Sequence, residues 1–198
     1  MRQDPATYAK TLFKGIQVRT AEPMKHHTSF RVGGPARIMV MPATREEVFR
    51  AIEICRSEGV AVTVLGGGTN LLAGDAGIGG VVISLRNLKN AVVVTRLDSE
   101  RVKLDIPAGN TLASVLRICM QKGFEGAEFA AGIPGTIGGA VMMNAGAAVG
   151  TDVAHSRSAS SRCVASSVSS STCVATTAGL YAPPSNSSWS PTDDSTIR

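Results

Sequence analysis

Gly132-Ile133-Pro134-Gly135-Thr136-Ile137-Gly138-Gly139-Ala140-Val141-Met142-Met143-Asn144-Ala145-Gly146 is the stretch on which the reading of this chain turns. Glycines recur there among apolar residues, and positions without a side chain let backbone N–H groups close on an anionic ligand. A second stretch of the same kind, Gly66-Gly67-Gly68-Thr69-Asn70-Leu71-Leu72, follows the apolar run Val60-Ala61-Val62-Thr63-Val64-Leu65, which reads as a buried strand. A lone glycine cluster is more often a plain turn. Two of them suggest one extended, phosphate-bearing cofactor. Neither fits the common nucleotide fingerprints: there is no Gly-x-x-x-x-Gly-Lys-Ser/Thr, and Gly132-x-x-Gly135-x-x-Gly138 lacks the Gly-x-Gly start of the dinucleotide turn. A P-loop nucleotidase or a Rossmann dehydrogenase is therefore disfavoured.

The chain has 198 residues, 43% of them hydrophobic, and a net charge of +5. That length and apolar content allow one large domain or two small ones around a real core. No apolar run approaches the roughly 18 residues that span a bilayer, and Met1-Arg2-Gln3-Asp4-Pro5 lacks the apolar stretch of a secretory signal, which points to the cytoplasm and away from a membrane partner. Cys55 and Cys119 sit in helical patterns, Cys163 and Cys173 in a polar stretch. Without a Cys-x-x-Cys or a Cys/His cluster, no metal site is expected. His26 and His27 are adjacent, cannot easily share one ligand face, and read as surface or packing residues. The positive excess lies before residue 151, because the three arginines beyond it are matched by three aspartates. It is scattered and poor in aromatic neighbours, so attraction of small phosphorylated ligands explains it more economically than nucleic acid.

Ala36 to Met41 forms a short apolar run before Pro42, and Thr44-Arg45-Glu46-Glu47 carries the Thr-x-x-Glu capping pattern of a helix start. Val48, Ala51, Ile52 and Cys55 share a face of that helix, which Gly59 ends. Val60 to Leu65 leads into the first glycine loop. Val81 to Leu85 and Ala91 to Thr95 read as further strands, and Val102, Leu104 and Ile106 alternate with charged neighbours as in a half-buried strand. A helix over Leu112 to Lys122 follows. Ile106-Pro107-Ala108 echoes Met41-Pro42-Ala43, Ile118-Cys119 echoes Ile54-Cys55, and Gly123 echoes Gly59. This is either a repeated strand-helix unit or a chance likeness, and each copy ends near one glycine loop. The expected fold is α+β, with two similar lobes and a cofactor between them: residues 23–90 as the first lobe and 91–150 as a second, incomplete one. Residues 1–22 read as an N-terminal extension with Tyr8, Leu12 and Phe13 on a possible helical face, for docking or for ordinary packing.

His27-Thr28-Ser29-Phe30-Arg31-Val32-Gly33-Gly34-Pro35-Ala36, the two glycine stretches and Met143-Asn144-Ala145-Gly146-Ala147 together resemble the UDP-N-acetylenolpyruvoylglucosamine reductase family, also called UDP-N-acetylmuramate dehydrogenase. The motifs stand in that family's order and at compatible separations over about residues 25 to 147. The resemblance implies a two-lobed FAD-binding domain of the PCMH type, similar to vanillyl-alcohol oxidase. It implies an oxidoreductase in which NADPH reduces FAD and a hydride then passes to the UDP-sugar substrate, UDP-N-acetylglucosamine enolpyruvate, giving the peptidoglycan precursor UDP-N-acetylmuramate. By the same resemblance Gly66, Gly67, Gly68, Thr69, Asn70 and Leu71 bind the cofactor around its diphosphate. Gly132, Ile133, Pro134, Gly135, Thr136, Gly138, Gly139 and Ala140 pass along its other side. Asn144 contacts cofactor or loop backbone, or else only stabilises a turn. The family's Tyr-Arg-x-Ser segment has no counterpart: Tyr181 precedes Ala182, and Arg157 and Arg162 lack a preceding tyrosine. The proton-donating serine and late glutamate of the family belong to its substrate-binding domain, so no catalytic residue is carried over.

From about Ala148 the composition changes abruptly. Residues 151 to 198 contain no Lys, Glu, Gln, Met or Phe, and serine and threonine dominate. Runs such as Ser166-Ser167-Val168-Ser169-Ser170-Ser171 lack apolar periodicity and cannot easily offset their ordering entropy. Either this is a disordered tail, or the reading frame is lost between Ala148 and Arg157. The resemblance stops where the composition changes, which favours the frameshift and implies a truncated, inactive reductase. The alternatives are a non-catalytic FAD-binding module or another PCMH-type flavoprotein. Oligomeric state is not legible in the sequence.

Overall fold

The computed structural model describes residues 5–89, 91–99, 101–147, 151–152, 177–182 and 196–197. Its backbone divides into two compact units, Met1–Leu88 and Lys89–Arg198, each considered by itself.

The first unit opens with helix α1 (Pro5–Leu12), which buries Ala9 and, just past its end, Phe13. Tyr8 stays on the outer side and donates its hydroxyl to Glu58 at 2.9 Å. Strand β1 (Gln17–Pro23) runs antiparallel to β2 (Pro35–Met41). Residues 17–22 thus belong to the first unit's sheet, where the sequence reading has an extension. Helix α2 (Arg45–Ser57) leads on to β3 (Val62–Leu65) and β4 (Ile78–Ser84), both parallel partners within the sheet order β1-β2-β4-β3. α2 begins as the sequence predicts. The Thr44 hydroxyl accepts from the Glu47 N–H at 3.2 Å while Glu47 reaches back to the Thr44 N–H, a complete capping box. Its end is also the predicted one: Gly59 adopts φ +62° and the next N–H, of Val60, bonds the Cys55 carbonyl at 2.8 Å. One face of the sheet buries Met39, Met41, Leu65 and Val82 with Met24 and Ala73, and Leu71 packs against that cluster. Helix α2, which contacts β4, buries Val48, Ala51 and Cys55.

The second unit is built on an antiparallel hairpin of β5 (Val92–Arg96) and β6 (Val102–Pro107), in register from Val93↔Asp105 to Arg96↔Val102. Alternation along β6 buries Val102, Leu104 and Ile106 and leaves Lys103 and Asp105 to pair with each other at 2.9 Å. Helix α3 (Leu112–Lys122) covers the hairpin with Leu112, Val115 and Cys119. Its cap is Thr111, and Gly123 closes it at φ +66°, with Phe124 N–H on the Cys119 carbonyl at 2.8 Å. The short helix α4 (Ile137–Met142) adds Ile137 and Ala140 to the same core. Strands β7 (Gly146–Ala147) and β8 (Thr151–Asp152) pair with each other. Strand β9 (Thr177–Ala182) lies antiparallel beside β6, and β10 (Thr196–Ile197) beside β5. The rest of residues 148–198, on which the choice between a disordered tail and a lost reading frame falls, lies outside the described residues.

The sequence echo has a structural counterpart in each unit separately. Both helices start at a threonine cap, bury a cysteine on the core face, and end at a glycine in the left-handed region. Their sheets differ, since the first is mixed and the second antiparallel among its described strands.

Candidate functional site

The first glycine loop begins where β3 ends, and register places Leu65, its last strand residue, beside Ser84, the last residue of β4. Ligand sites in sheets with parallel strands form at such carboxyl ends, because the departing loops open there. Within the loop, Gly66 and Gly67 are half-buried and Gly68 is buried. Gly68 has φ +69°, and a Cβ built on it would overlap the His27 carbonyl, so this position requires glycine. Two of the loop's carbonyls are spoken for. The Ser29 N–H donates to the Gly68 carbonyl at 3.0 Å, and Arg86 Nη2 donates to the Gly67 carbonyl at 2.9 Å. Its N–H groups are not: those of Gly66, Gly67 and Gly68 meet no acceptor among the described residues. Thr69 is half-buried and Asn70 exposed, while Leu71 turns into the core.

The second stretch divides at Thr136. Ahead of it, Gly132 and Pro134 are exposed, and the N–H groups of Gly132, Gly135 and Thr136 have no acceptor among the described residues. Gly132 and Gly135 stand at φ +77° and +126°, and Ile133 packs against the core. From the Ile137 N–H onward the backbone is committed to the protein. Ile137 N–H bonds the Asn110 carbonyl at 2.8 Å, Gly138 N–H the Ala108 carbonyl at 3.0 Å, and Gly139 N–H the Thr136 hydroxyl at 3.4 Å. The Ala140 N–H follows at 2.8 Å to the Thr136 carbonyl, and Leu112 N–H returns to Gly135 at 3.1 Å. Asn144 is exposed at φ +45°, a value that asparagine tolerates, in the turn that ends α4.

Glu22, Ser84 and Arg86 of the first unit join the candidate site without a signal in the sequence reading, and with them His27, read there as a surface or packing residue. His27 is 5% exposed, and its Nε2 lies 2.8 Å from Glu22 Oε1. The His27 hydrogen bond, with help from Arg19, holds the Glu22 carboxyl below its ordinary range although burial opposes this. Nδ1 of His27 and Oγ of Ser84 are buried without a hydrogen-bond partner among the described residues. Arg86 bonds both the His27 carbonyl, at 3.0 Å, and the Gly67 carbonyl, tying two chain segments together. The signal for Arg86 is its place two residues past the end of a parallel strand, visible once β3 and β4 are paired.

Residues 36–161 match the family described as FAD binding domain. The chain is 42% identical, over 138 residues, to UDP-N-acetylenolpyruvoylglucosamine reductase of Caldanaerobacter subterraneus subsp. tengcongensis; the match covers 70% of this chain and 44% of that protein. Among solved structures it is similar to UDP-N-acetylenolpyruvylglucosamine reductase from Thermus caldophilus, at 32% identity and a TM-score of 0.51, over 67% of this chain and 43% of the other. A solvent-stable cholesterol oxidase shares the fold at 18% identity and a TM-score of 0.53, over 65% of this chain and 24% of its own. The chain therefore spans less than half the length of the reductases it matches.

Proposed function

The chain belongs to the family of FAD binding domains, and on that premise we propose that it is the FAD-holding part of a cytoplasmic, NADPH-driven reductase of UDP-N-acetylglucosamine enolpyruvate, acting in peptidoglycan synthesis. The observation that carries the cofactor assignment is the run of three glycine N–H groups, Gly66 to Gly68, that meet no acceptor among the described residues while the Gly67 and Gly68 carbonyls are held. A diphosphate needs such donors, and only side-chain-free residues let it approach the backbone. The unpartnered Oγ of Ser84, beside the same strand end, is a further buried polar group available to a ligand. The residues present therefore fit the group.

FAD supplies, when bound, a two-electron carrier between NADPH and the enolpyruvyl double bond. Everything else asked of this stretch of chain is binding. Gly66, Gly67 and Gly68 donate to the diphosphate, with Thr69 and Asn70 beside them. Gly132, Gly135 and Thr136 offer the second set of N–H groups, whereas Gly138 ties α4 to the turn after β6 at Ala108, and Gly139 and Ala140 donate to the Thr136 cap of α4 itself. Leu71 and Ile133 contribute through the core that steadies each loop. The task of proton delivery has no assigned residue here, and reduction of the UDP-sugar is proposed for the whole protein, by likeness to the reductases.

The test is a titration of the purified chain with FAD, followed by flavin fluorescence, and then an assay with NADPH and the UDP-sugar. Saturable binding of one FAD without NADPH consumption is the expected result. No binding contradicts the cofactor assignment. Turnover contradicts the assignment of this stretch to cofactor holding alone.

A further inference from the structure

The first glycine loop is held by a cation that no carboxylate among the described residues neutralises. Arg86 follows β4 in a short turn and is half-buried. None of the ion pairs among the described residues includes it. Its Nη2 alone makes the two bonds to the His27 and Gly67 carbonyls, at 3.0 and 2.9 Å. Its Nε and Nη1 donors meet no acceptor among the described residues.

Those two bonds fix a direction as well as a contact. In a trans peptide the C=O and the following N–H point opposite ways, and this backbone has no cis bond among its described residues. Holding the Gly67 carbonyl toward Arg86 therefore aims the Gly68 N–H away from Arg86, as one of the unspent donors. Ser29 fixes the orientation of the next peptide by donating to the Gly68 carbonyl. The His27 carbonyl, bonded by the same nitrogen, lies where a Gly68 Cβ would be, so the arginine also sets how closely the two segments approach.

We propose that Arg86 is the positioning residue of the first glycine loop: it fixes the peptide orientation that presents the Gly68 N–H, and it places a permanent positive charge behind the peptide whose N–H receives the diphosphate. This rests on the FAD reading above. A guanidinium suits both tasks, because it stays charged at any working pH and one of its nitrogens can donate to two carbonyls at once. The uncompensated charge would otherwise be a cost of partial burial with nothing to offset it.

The experiment compares FAD affinity of the wild-type chain, R86M and R86K over a range of salt concentrations, with circular dichroism as the check on folding. R86M is expected to bind FAD at least tenfold more weakly, about 1.4 kcal/mol, with a flatter salt dependence because a screened attraction has been removed. R86K keeps the charge and is expected to stay within about threefold of wild type. Should R86M fail to fold, R86Q takes its place, with a donor nitrogen retained and the charge gone, and the same loss is expected. A folded variant with wild-type affinity overturns the role of Arg86 and leaves the FAD reading standing. A loss of affinity that is equal at every salt concentration also overturns it, as the sign of a merely structural part. If wild type itself binds no FAD, the cofactor reading falls and this proposal with it.

Discussion

Two glycines, Gly68 and Gly132, occupy left-handed backbone for different reasons. At Gly68 a Cβ would run into the His27 carbonyl, whereas at Gly132 nothing lies within 4 Å of it. Gly132→Ala should therefore cost only the conformational term, about 1 kcal/mol. Gly68→Ala adds a backbone overlap that must be relieved by moving the His27 segment, and about 3 kcal/mol or more is expected. Urea midpoints of the two variants check this, and equal losses would contradict the close approach of loop and segment. Residue-level reading of the sequence found the glycines and missed their neighbours. Arg86 and Ser84 are unremarkable in a linear sequence, because what distinguishes them is a strand register and, for Ser84, an unpartnered buried atom. The second glycine stretch shows the converse: Gly138 and Gly139 look like ligand contacts in the sequence, yet their N–H groups are spent on Ala108 and Thr136.

At the scale of elements, the signals that proved legible are those carried by local chemistry. Helix α3 spans the predicted Leu112–Lys122, and α2 starts at its predicted cap. Both ends of each helix are written in short-range chemistry, a threonine at the start and a left-handed glycine at the end. Thr44→Ala and Thr111→Ala are each expected to lower stability by about 1 kcal/mol in chemical unfolding, with Thr44→Ala the larger because it also strands Glu47 of the capping box. Indistinguishable wild-type stability in both would contradict the capping assignment. Cys119, on the core face of α3, has its thiol pushed up to about 11 by burial, with Glu128 adding to the effect, so it serves as a packing residue. Strand β1 went unread because Gln17-Val18-Arg19-Thr20-Ala21-Glu22-Pro23 has no sustained apolar alternation. It exists through its partner β2, a tertiary effect that propensity does not carry.

At the scale of the molecule, a fold of two α+β units, each with one glycine stretch, agrees with the solved structures to which the chain is similar. The α+β class was legible because helix and strand periods alternate along the chain. The mixed sheet of the first unit was not, since parallel pairing of β3 with β4 depends on how the long connection between them returns. That pairing matters most for function, because it gathers the first loop, Ser84 and Arg86 at one strand end. The claim at the centre of this account is that the unspent N–H groups of Gly66, Gly67 and Gly68 receive the FAD diphosphate. Residue-resolved amide hydrogen exchange, measured with and without saturating FAD, tests it most directly. Exchange at these three amides should be fast in the free chain and slow at least about tenfold when FAD is bound, as for a hydrogen-bonded amide. Unchanged exchange there, in a chain that fluorescence shows to be saturated with FAD, would contradict it.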